Sequence, residues 1–385
     1  MSTTHVFIVD TRTFKLHLEY LFAGTGAKDE VVDFNNKPTS LLIYQKENNL
    51  VGMLADSQRI RKGDYVVFYL QANASQGVFE GKFYGIFKAG EEYSFIDNND
   101  QNQYLKKELD KSLTFRTIIE PLEVYPQGVT EWEALDEIRY INSPFQMLWS
   151  LIYRKLKGNR GNTMITIYES DRLFKLLRDK NLKRTLDNTG FSFDDNKQEI
   201  INQPRRTYIG RKETANVLPR LISKYSANRA FETHLQEYIV SHVGRMTNPS
   251  LDDTLVKGLK IEWLGNEVSC GVGMQRIDIA LSLLTPNSRI IEAVELKATE
   301  ASPTITYQLQ RYVDWIEQYY LPNRISDIQP VIVAKMTLDK KHNNYRDLIS
   351  NCIRFNENNR NCYPIRYIEY SLINNDLHFS ECPYL

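Results

Sequence analysis

Residues 274–320 read MQRIDIALSLLTPNSRIIEAVELKATEASPTITYQLQRYVDWIEQYY and predict two strands followed by a helix. Because strand side chains alternate between two faces, the first strand puts its isoleucines on one face and Asp278 on the other. The second strand places Glu295 and Lys297 together, opposite its valine and leucine. The two strands are predicted over residues 276–284 and 289–298.

An amphipathic helix is predicted from Pro303 onward, because apolar residues recur there at helical spacing. Gln308 and Tyr312 are four residues apart and therefore share a second face. The apolar stripe consists of Ile305, Leu309, Val313, Ile316 and Tyr320.

An Asp, a Glu and a Lys on neighbouring strands favour metal binding and metal-assisted hydrolysis. Clustered carboxylates repel and are costly to desolvate, so they need a compensating cation. A hard divalent cation such as Mg²⁺ prefers oxygen ligands, and a nearby lysine can orient a water for attack on a phosphodiester. The alternative is that Glu295 and Lys297 form an ordinary solvated pair on a strand.

The order of Asp strand, Glu-x-Lys strand and Gln-x-x-x-Tyr helix resembles the PD-(D/E)xK nuclease superfamily, in particular its RecB-like and NucS-like branches. The stretches RIDIAL, AVELKA and YQLQRYVDW carry the resemblance, and Ile277 stands where the superfamily name has Pro. The resemblance implies a restriction-endonuclease-like α/β nuclease domain with a mixed sheet at residues 226–385. In it, residues 330–336 would be a buried central strand and residues 363–370 an edge strand.

The resemblance also implies roles for individual residues. Asp278 and Glu295 would bind Mg²⁺, with Mn²⁺ as a substitute, and Lys297 would position the attacking water. Gln308 and Tyr312 would orient the site and the DNA backbone. The family often adds a glutamate from an upstream helix, here residues 228–243. Glu232 is our choice as a third metal ligand and catalytic residue, Glu237 is the weaker option, and either could be a plain surface carboxylate.

The composition is that of an ordinary globular protein, with 42% hydrophobic and 25% charged residues among 385. Its 48 basic and 48 acidic residues argue against nonspecific coating of nucleic acid. The four cysteines show no C-x-x-C spacing, so structural zinc is not expected. We expect a cytoplasmic protein without membrane contact, because no apolar run has the length of a span.

Residues 1–126 predict a small domain with strands at residues 5–10, 62–71, 81–88 and 115–124. The stretches KGDYVVFYLQ, GKFYGIFK and FRTIIEPLEVY resemble the PUA-like β-barrel of EVE or ASCH type, which includes modules that take a flipped base into an aromatic pocket. Tyr65, Tyr69 and Tyr84 are candidates for such base recognition. The alternative is that these aromatics belong to the barrel core.

Residues 127–225, after a linker near residues 125–130, predict a basic helical domain. Helices are expected at residues 143–156 and 169–181, joined by a turn at residues 157–162, as in a helix–turn–helix. Between Arg154 and Arg184 there are ten Lys and Arg against three Asp and Glu. Candidate DNA contacts are Arg160, Arg205, Arg206, Arg211 and Lys212, although each could equally be a solvated cation.

Together these patterns predict a multidomain α/β and α+β chain that is a Mg²⁺-dependent DNA endonuclease (a hydrolase) of restriction type. Its partner would be double-stranded DNA, cut in a sequence-specific or modified-base-dependent manner. Cutting both strands needs two active sites, so a homodimer is expected. The alternatives are a NucS-like repair endonuclease for mismatched or branched DNA, a catalytically inactive nucleic-acid-binding module and, with least support, an RNA-modification protein.

Overall fold

The computed structural model describes residues 2–26, 31–33, 44–147, 161–187, 189–270, 275–320 and 327–384. The chain divides into two compact units. Unit 1 comprises Met1–Asp33 and Asp56–Ala215, and unit 2 comprises Phe34–Ala55 and Asn216–Leu385. None of the helices within the described ranges is both long and apolar enough to span a membrane.

Unit 1 contains a curled sheet and a separate hairpin. Its strands are β1 Thr4–Val9, β2 Phe22–Thr25, β3 Tyr65–Leu70, β4 Lys82–Ala89, β5 Phe95–Ile96, β6 Phe115–Glu123, β7 Val129–Thr130, β8 Asn162–Ile165, β9 Phe191–Asp194 and β10 Glu199–Asn202. The sheet runs β2-β6-β4-β3-β1-β8, with β5 paired to β6 and β7 to β4, while β9 and β10 form the hairpin. Strands β1 and β3 are parallel, and the other pairs are antiparallel.

The helices described in this part of the chain are α1 Thr11–Tyr20, α2 Tyr44–Gln58, α3 Lys106–Leu109, α4 Glu131–Asp136 and α5 Ile167–Lys180. Most of α2 belongs to unit 2, and the others belong to unit 1. Three of them start at a capping box, in which the residue before the helix and the third helical residue bind each other's backbone amides. The capping residues are Asp10, Thr130 and Thr166.

Strand β3 lies between two apolar clusters. Val66, Phe68 and Leu70 belong to one cluster, with α1 and the β9–β10 hairpin. Val67 and Tyr69 belong to the other, with α5. Both faces of this strand are therefore buried.

The four strands predicted in the first segment are confirmed as β1, β3, β4 and β6. The predicted barrel is matched only as a curled half-barrel sheet. Within the described residues, β2 and β8 end this sheet and do not pair with each other, so the barrel is not closed.

The middle segment differs from its prediction. The helix expected at residues 169–181 is confirmed as α5, but strand β8 precedes it and pairs with β1, so the helix–turn–helix is wrong there. The strand forms because Met164 and Ile165 are buried against the sheet. Most of the helix expected at residues 143–156 and the turn at 157–162 lies outside the described residues.

The predicted linker at residues 125–130 is also part of the fold, because β7 pairs with β4 and Tyr125 is buried. A wholly helical middle segment is therefore wrong. The domain boundaries at residues 126 and 225 stay predictions.

Unit 2 is built on a mixed sheet in the order β11 Lys260–Ser269, β12 Arg276–Leu284, β13 Arg289–Lys297, β14 Ile328–Lys335, β15 Arg366–Ile373 and β16 Asp376–Glu381. The pairs β13–β14 and β14–β15 are parallel and the others antiparallel. The central position predicted for residues 330–336 is confirmed. The edge position predicted for residues 363–370 is wrong, because a turn at Asn374 and Asn375, both with positive φ, returns the chain as β16.

The helices of unit 2 are α6 Leu218–Ser226, α7 Glu232–His242, α8 Pro249–Leu255, α9 Ile305–Trp315 and α10 Asn343–Asn358. A π-helical turn, Ile316–Tyr320, extends α9. All five residues of the apolar stripe predicted for this helix are buried. The two strands and the helix predicted from residues 274–320 are therefore confirmed.

A buried group of charges ties α2 to α6 and α7. The Glu47 carboxylate accepts hydrogen bonds from Arg220 (Nε and Nη2, both 2.8 Å) and lies 2.7 Å from His234 Nε2 and 3.3 Å from Lys224 Nζ. Burial acts to raise the pKa of Glu47, but these partners outweigh it and hold the pKa well below its usual range. Glu47 thus neutralises two cations of α6 and also bonds the α7 imidazole, whose pKa is lowered by burial.

We expect Glu47→Gln to lower the free energy of unfolding by about 3 kcal/mol, because it leaves buried cations without their counter-charge. Urea unfolding of the two proteins measures this difference. Glu300→Gln, at an exposed glutamate, is the matched control. A loss for Glu47→Gln no larger than that of the control would contradict the assigned role.

Candidate active site

The core of the candidate site is a pair of carboxylates on neighbouring strands. The ladder between β12 and β13 pairs Ile279 with Val294, so one residue further Asp278 lies opposite Glu295. Asp278 Oδ2 also accepts a hydrogen bond from the backbone N–H of Leu296 at 2.7 Å. The register of β12 and β13 therefore agrees with the prediction that Asp278 and Glu295 lie on the same face of the sheet.

Lys297 and Glu232 join these carboxylates. Lys297 Nζ donates to Glu295 Oε1 at 2.7 Å and lies 3.9 Å from Glu232 Oε1. The Glu295 side chain is 3% exposed, that of Lys297 22%, and that of Glu232 52%. Glu232 is the first residue of α7, so the helix brings a carboxylate to the solvent side of the lysine.

Tyr312 closes the site from α9. Its hydroxyl lies 2.6 Å from Glu295 Oε2 and 2.8 Å from the backbone oxygen of Arg276, and it donates its one proton to either acceptor. Gln308 is half-buried one turn earlier and, within the described residues, makes no hydrogen bond to the site. The structure thus brings together five of the six predicted catalytic residues and leaves Gln308 beside them.

The pKa values of the site residues are shifted because two carboxylates lie close together and are largely shielded from water. Burial and, after it, the Glu295 charge raise the pKa of Asp278 well above its ordinary value. Burial acts to lower the pKa of Lys297, but Glu295 outweighs it and the pKa is raised, which keeps the ammonium charged. Burial and the Glu295 charge also raise the pKa of Tyr312, so it remains a neutral donor.

Gln236 is a site residue that the sequence analysis missed. Its side chain is buried and donates from Nε2 to the backbone oxygen of Asp278 at 2.9 Å and to Glu267 Oε1 at 3.2 Å. Glu267 also accepts from Arg276 Nη1 at 2.8 Å and has a φ of 52°. Gln236 follows Glu232 by four residues, and this helical spacing was a usable signal. No sequence signal marked Glu267.

Glu237, the weaker option for the third acid, lies elsewhere. It is buried and accepts a hydrogen bond from Ser241 Oγ at 2.6 Å. Burial raises its pKa to about 7. Of the two glutamates considered, only Glu232 is therefore placed beside Lys297.

The donor set fits a divalent cation in its chemistry. Asp278 and Glu295 supply oxygen ligands of the kind Mg²⁺ prefers, and their mutual repulsion is only partly relieved by Lys297. Within the described ranges, however, no three acidic, histidine or cysteine side chains are gathered closely enough to hold a metal ion. Metal binding therefore stays a prediction.

The tyrosines predicted for base recognition are mostly core residues. Tyr69 and Tyr84 are 1% and 0% exposed, and their hydroxyls donate to Glu131 and to the backbone oxygen of Gln198. Tyr65 is half-buried and packs edge-on against a phenylalanine of α5. A ring without an exposed face cannot stack on a base, so Tyr69 and Tyr84 are core residues in this structure. Base recognition by these tyrosines stays a prediction.

Two of the predicted DNA contacts form ion pairs within unit 1. Arg211 donates to Asp97 Oδ1 at 3.0 Å and to Asp100 Oδ2 at 2.8 Å. Lys212 pairs with Glu91 at 2.5 Å. These contacts leave the cations little free charge for phosphates, so the prediction is weakened for both residues.

The other three predicted DNA contacts have separate outcomes. Arg206 lies over the Tyr20 ring and 3.3 Å from Glu19 Oε2, but its side chain is half exposed. Arg205 is exposed. Arg160 lies outside the described residues. DNA contact by these arginines stays a prediction.

Comparison with known proteins gives no family assignment, since no family model and no curated protein matches the chain. Among solved structures, human THYN1 protein in complex with DNA containing 5-methylcytosine is 12% identical, over 46% of this chain and 97% of that one, with a TM-score of 0.25. The restriction endonuclease FokI is 14% identical, over 60% of this chain and 40% of that one, with a TM-score of 0.20. At these TM-scores neither likeness carries an argument.

We expect Gln236→Leu to weaken Mn²⁺ binding about tenfold, because the amide fixes the backbone beside Asp278 and such supporting contacts tune metal affinity. Calorimetric titration of the purified protein with Mn²⁺ measures the effect without relying on turnover. Gln310→Leu, whose amide bonds Asp314 and Asn359, is the matched control. Equal Mn²⁺ affinity in both variants and the unmodified protein would contradict the role.

We expect Glu237→Gln to flatten the dependence of stability on pH. The ordinary pKa of 4.5 is raised to about 7 in the fold, so between these values the folded state keeps a proton that the unfolded chain releases. Stability from this group therefore falls as pH rises through that window, by at most about 1.4 kcal/mol per pH unit. Urea unfolding across the window measures the slope. Identical slopes in both proteins would refute this titration.

Proposed function

We propose that this chain is a metal-dependent endonuclease that hydrolyses phosphodiester bonds in double-stranded DNA. The convergence of Asp278, Glu295 and Lys297, with Tyr312 and Glu232 beside them, is the observation that carries the proposal. Acidic oxygens, a charged lysine and partial burial suit attack on a phosphorus atom, where negative charge increases in the transition state. The resemblance of the same residues to the PD-(D/E)xK pattern agrees with this chemistry.

Each side chain has a part that follows from its position. Lys297 stays protonated, so it donates hydrogen bonds to the attacking water or to a phosphate oxygen and does not act as the base. Tyr312 holds one oxygen of Glu295 and the lysine holds the other, which fixes the carboxylate in place. The amide of Leu296 fixes Asp278 in the same way.

Mg²⁺ is the cofactor we propose, with Asp278 and Glu295 as its protein ligands and Glu232 as a third. When bound, it would supply a positive charge against the charge that develops on the phosphate. Burial of the Glu295 side chain limits competition by bulk water for that carboxylate.

The biological class we propose is a restriction enzyme that acts as a homodimer on specific or modified DNA and works in the cytoplasm. Two active sites are needed to cut two strands, which a homodimer supplies most simply. Repair of mismatched or branched DNA remains the alternative for the same chemistry. A binding module with an inactive site is disfavoured by the complete acid, lysine and tyrosine arrangement.

We expect Asp278→Asn, Glu295→Gln and Lys297→Met each to reduce Mg²⁺-dependent cleavage roughly a thousandfold, because each removes a charge that the transition state uses. Gel analysis of plasmid DNA measures cleavage, and anisotropy without metal measures DNA binding, which is expected to persist. Glu300→Gln is the exposed control. Full cleavage by any of the three variants would reject the site.

Digestion of matched DNAs in the presence of Mg²⁺ distinguishes the possible substrate classes. The DNAs are unmodified, cytosine-methylated, adenine-methylated and mismatched. Discrete fragments from unmodified DNA support sequence-specific restriction. Cutting confined to methylated DNA supports dependence on a modified base, and cutting confined to the mismatch supports repair. Absence of cutting in all four DNAs would favour the binding module.

A further inference from the structure

The connection between α5 and β9 carries an exposed turn of unusual composition, Leu182–Lys183–Arg184–Thr185, named here the 182–185 turn. Leu182 is 73% exposed, although its side chain is apolar. Lys183 and Arg184 are exposed and form no ion pair within the described part of the chain. An exposed apolar side chain and two exposed cations without an ion pair therefore follow one another in this turn of unit 1.

The charge of this region is concentrated on the turn. The cations of α5 are neutralised within the fold: Lys175 by Asp179, Arg178 by Glu123 and Lys180 by Glu133. Arg172 likewise pairs with Glu137. The excess of Lys and Arg seen in the sequence thus leaves Lys183 and Arg184 as its unpaired members among the described residues.

The backbone of the turn is unusual as well. Leu182 and Lys183 have φ values of 51° and 60°, in the left-handed region that residues with a Cβ rarely adopt. The Lys183 amide donates to the Arg178 oxygen at 2.7 Å and the Arg184 amide to the Asn181 oxygen at 2.9 Å. These bonds end the helix, and all four side chains of the turn are exposed.

Both ends of the turn are anchored. The Asn181 side chain exchanges two hydrogen bonds of 3.0 Å with the backbone of Gln127. At the other end the Leu186 amide donates to the Val124 oxygen at 2.8 Å, and its side chain packs on the core. The turn is thus presented rigidly, which lowers the entropy lost when a partner binds.

We propose that the 182–185 turn is a DNA-contacting element, in which Lys183 and Arg184 bind backbone phosphates and Leu182 packs into the adjoining groove. Charge complementarity identifies the occupant, since unpaired cations beside an apolar side chain match a phosphate backbone flanking base edges. The inference rests on the proposed function, because it takes DNA as the substrate. It adds a contact in unit 1 that is independent of the residues around Lys297.

The test measures the affinity for a short fluorescein-labelled duplex of mixed sequence. Fluorescence anisotropy gives this affinity at several salt concentrations, without divalent metal. Lys183→Ala and Arg184→Ala are each expected to lower the slope of log affinity against log salt by about 0.9. Leu182→Ala is expected to weaken binding about tenfold without changing the slope, because it removes apolar burial only.

Matched controls separate the turn from general surface effects. Lys107→Ala removes an exposed cation of unit 1, and Leu338→Ala truncates a leucine that is 84% exposed. Both controls are expected to bind as the unmodified protein does. Unchanged slopes in both turn variants, or the same losses in the controls, would overturn the proposal.

The outcomes also distinguish this proposal from the proposed function. If the unmodified protein binds and cleaves DNA while the turn variants match it, the turn proposal alone fails. If the unmodified protein binds no DNA, both fail. Reduced slopes in a protein that does not cleave would support the turn and reject the endonuclease.

Discussion

The repulsion between Asp278 and Glu295 is the constraint around which unit 2 is arranged. The register of β12 and β13 puts both carboxylates at one place, and partial burial makes their charges costly. Each is held by a different kind of donor: a backbone amide for Asp278, and an ammonium with a phenol for Glu295. The two strands and α9 must therefore be in position before the pair is tolerated.

The surrounding layer keeps these elements in position. Gln236 joins α7 to the backbone at Asp278, and the same helix carries Glu232 to the lysine. Between these two residues, His234 of the same helix lies against Glu47 of α2 together with cations of α6. A helix that contributes a site residue at its first position is thus fixed by polar contacts within its first two turns, at His234 and Gln236.

Sequence could predict what depends on local periodicity. Asp278, Glu295 and Lys297 were found because side chains alternate along a strand, and Tyr312 because four residues make one helical turn. The ion pair of Arg211 was not predicted, because its partner Asp97 is 114 residues away and composition does not show pairing over such distances. The sequence did not decide between a core role and base recognition for Tyr69, because alternation shows one buried face, whereas helices and a hairpin bury both faces of β3. The strand at residues 363–370 was misplaced because pairing with β16 depends on a later turn.

The burial of β3 has a consequence for how unit 1 can recognise a partner. Since its central strands offer no exposed aromatic face, contacts with a ligand must come from the connections at the edges of the sheet. Some cations of unit 1 are neutralised by acids within the fold, as Arg211 is on a connection and Arg178 is in α5. Among the described residues, Lys183 and Arg184 are two exposed cations without an ion pair, and they lie together on the rigid turn after α5. The net charge of the chain is zero, so it does not show where DNA could bind. What matters is which cations are paired with acids inside the fold and which are not.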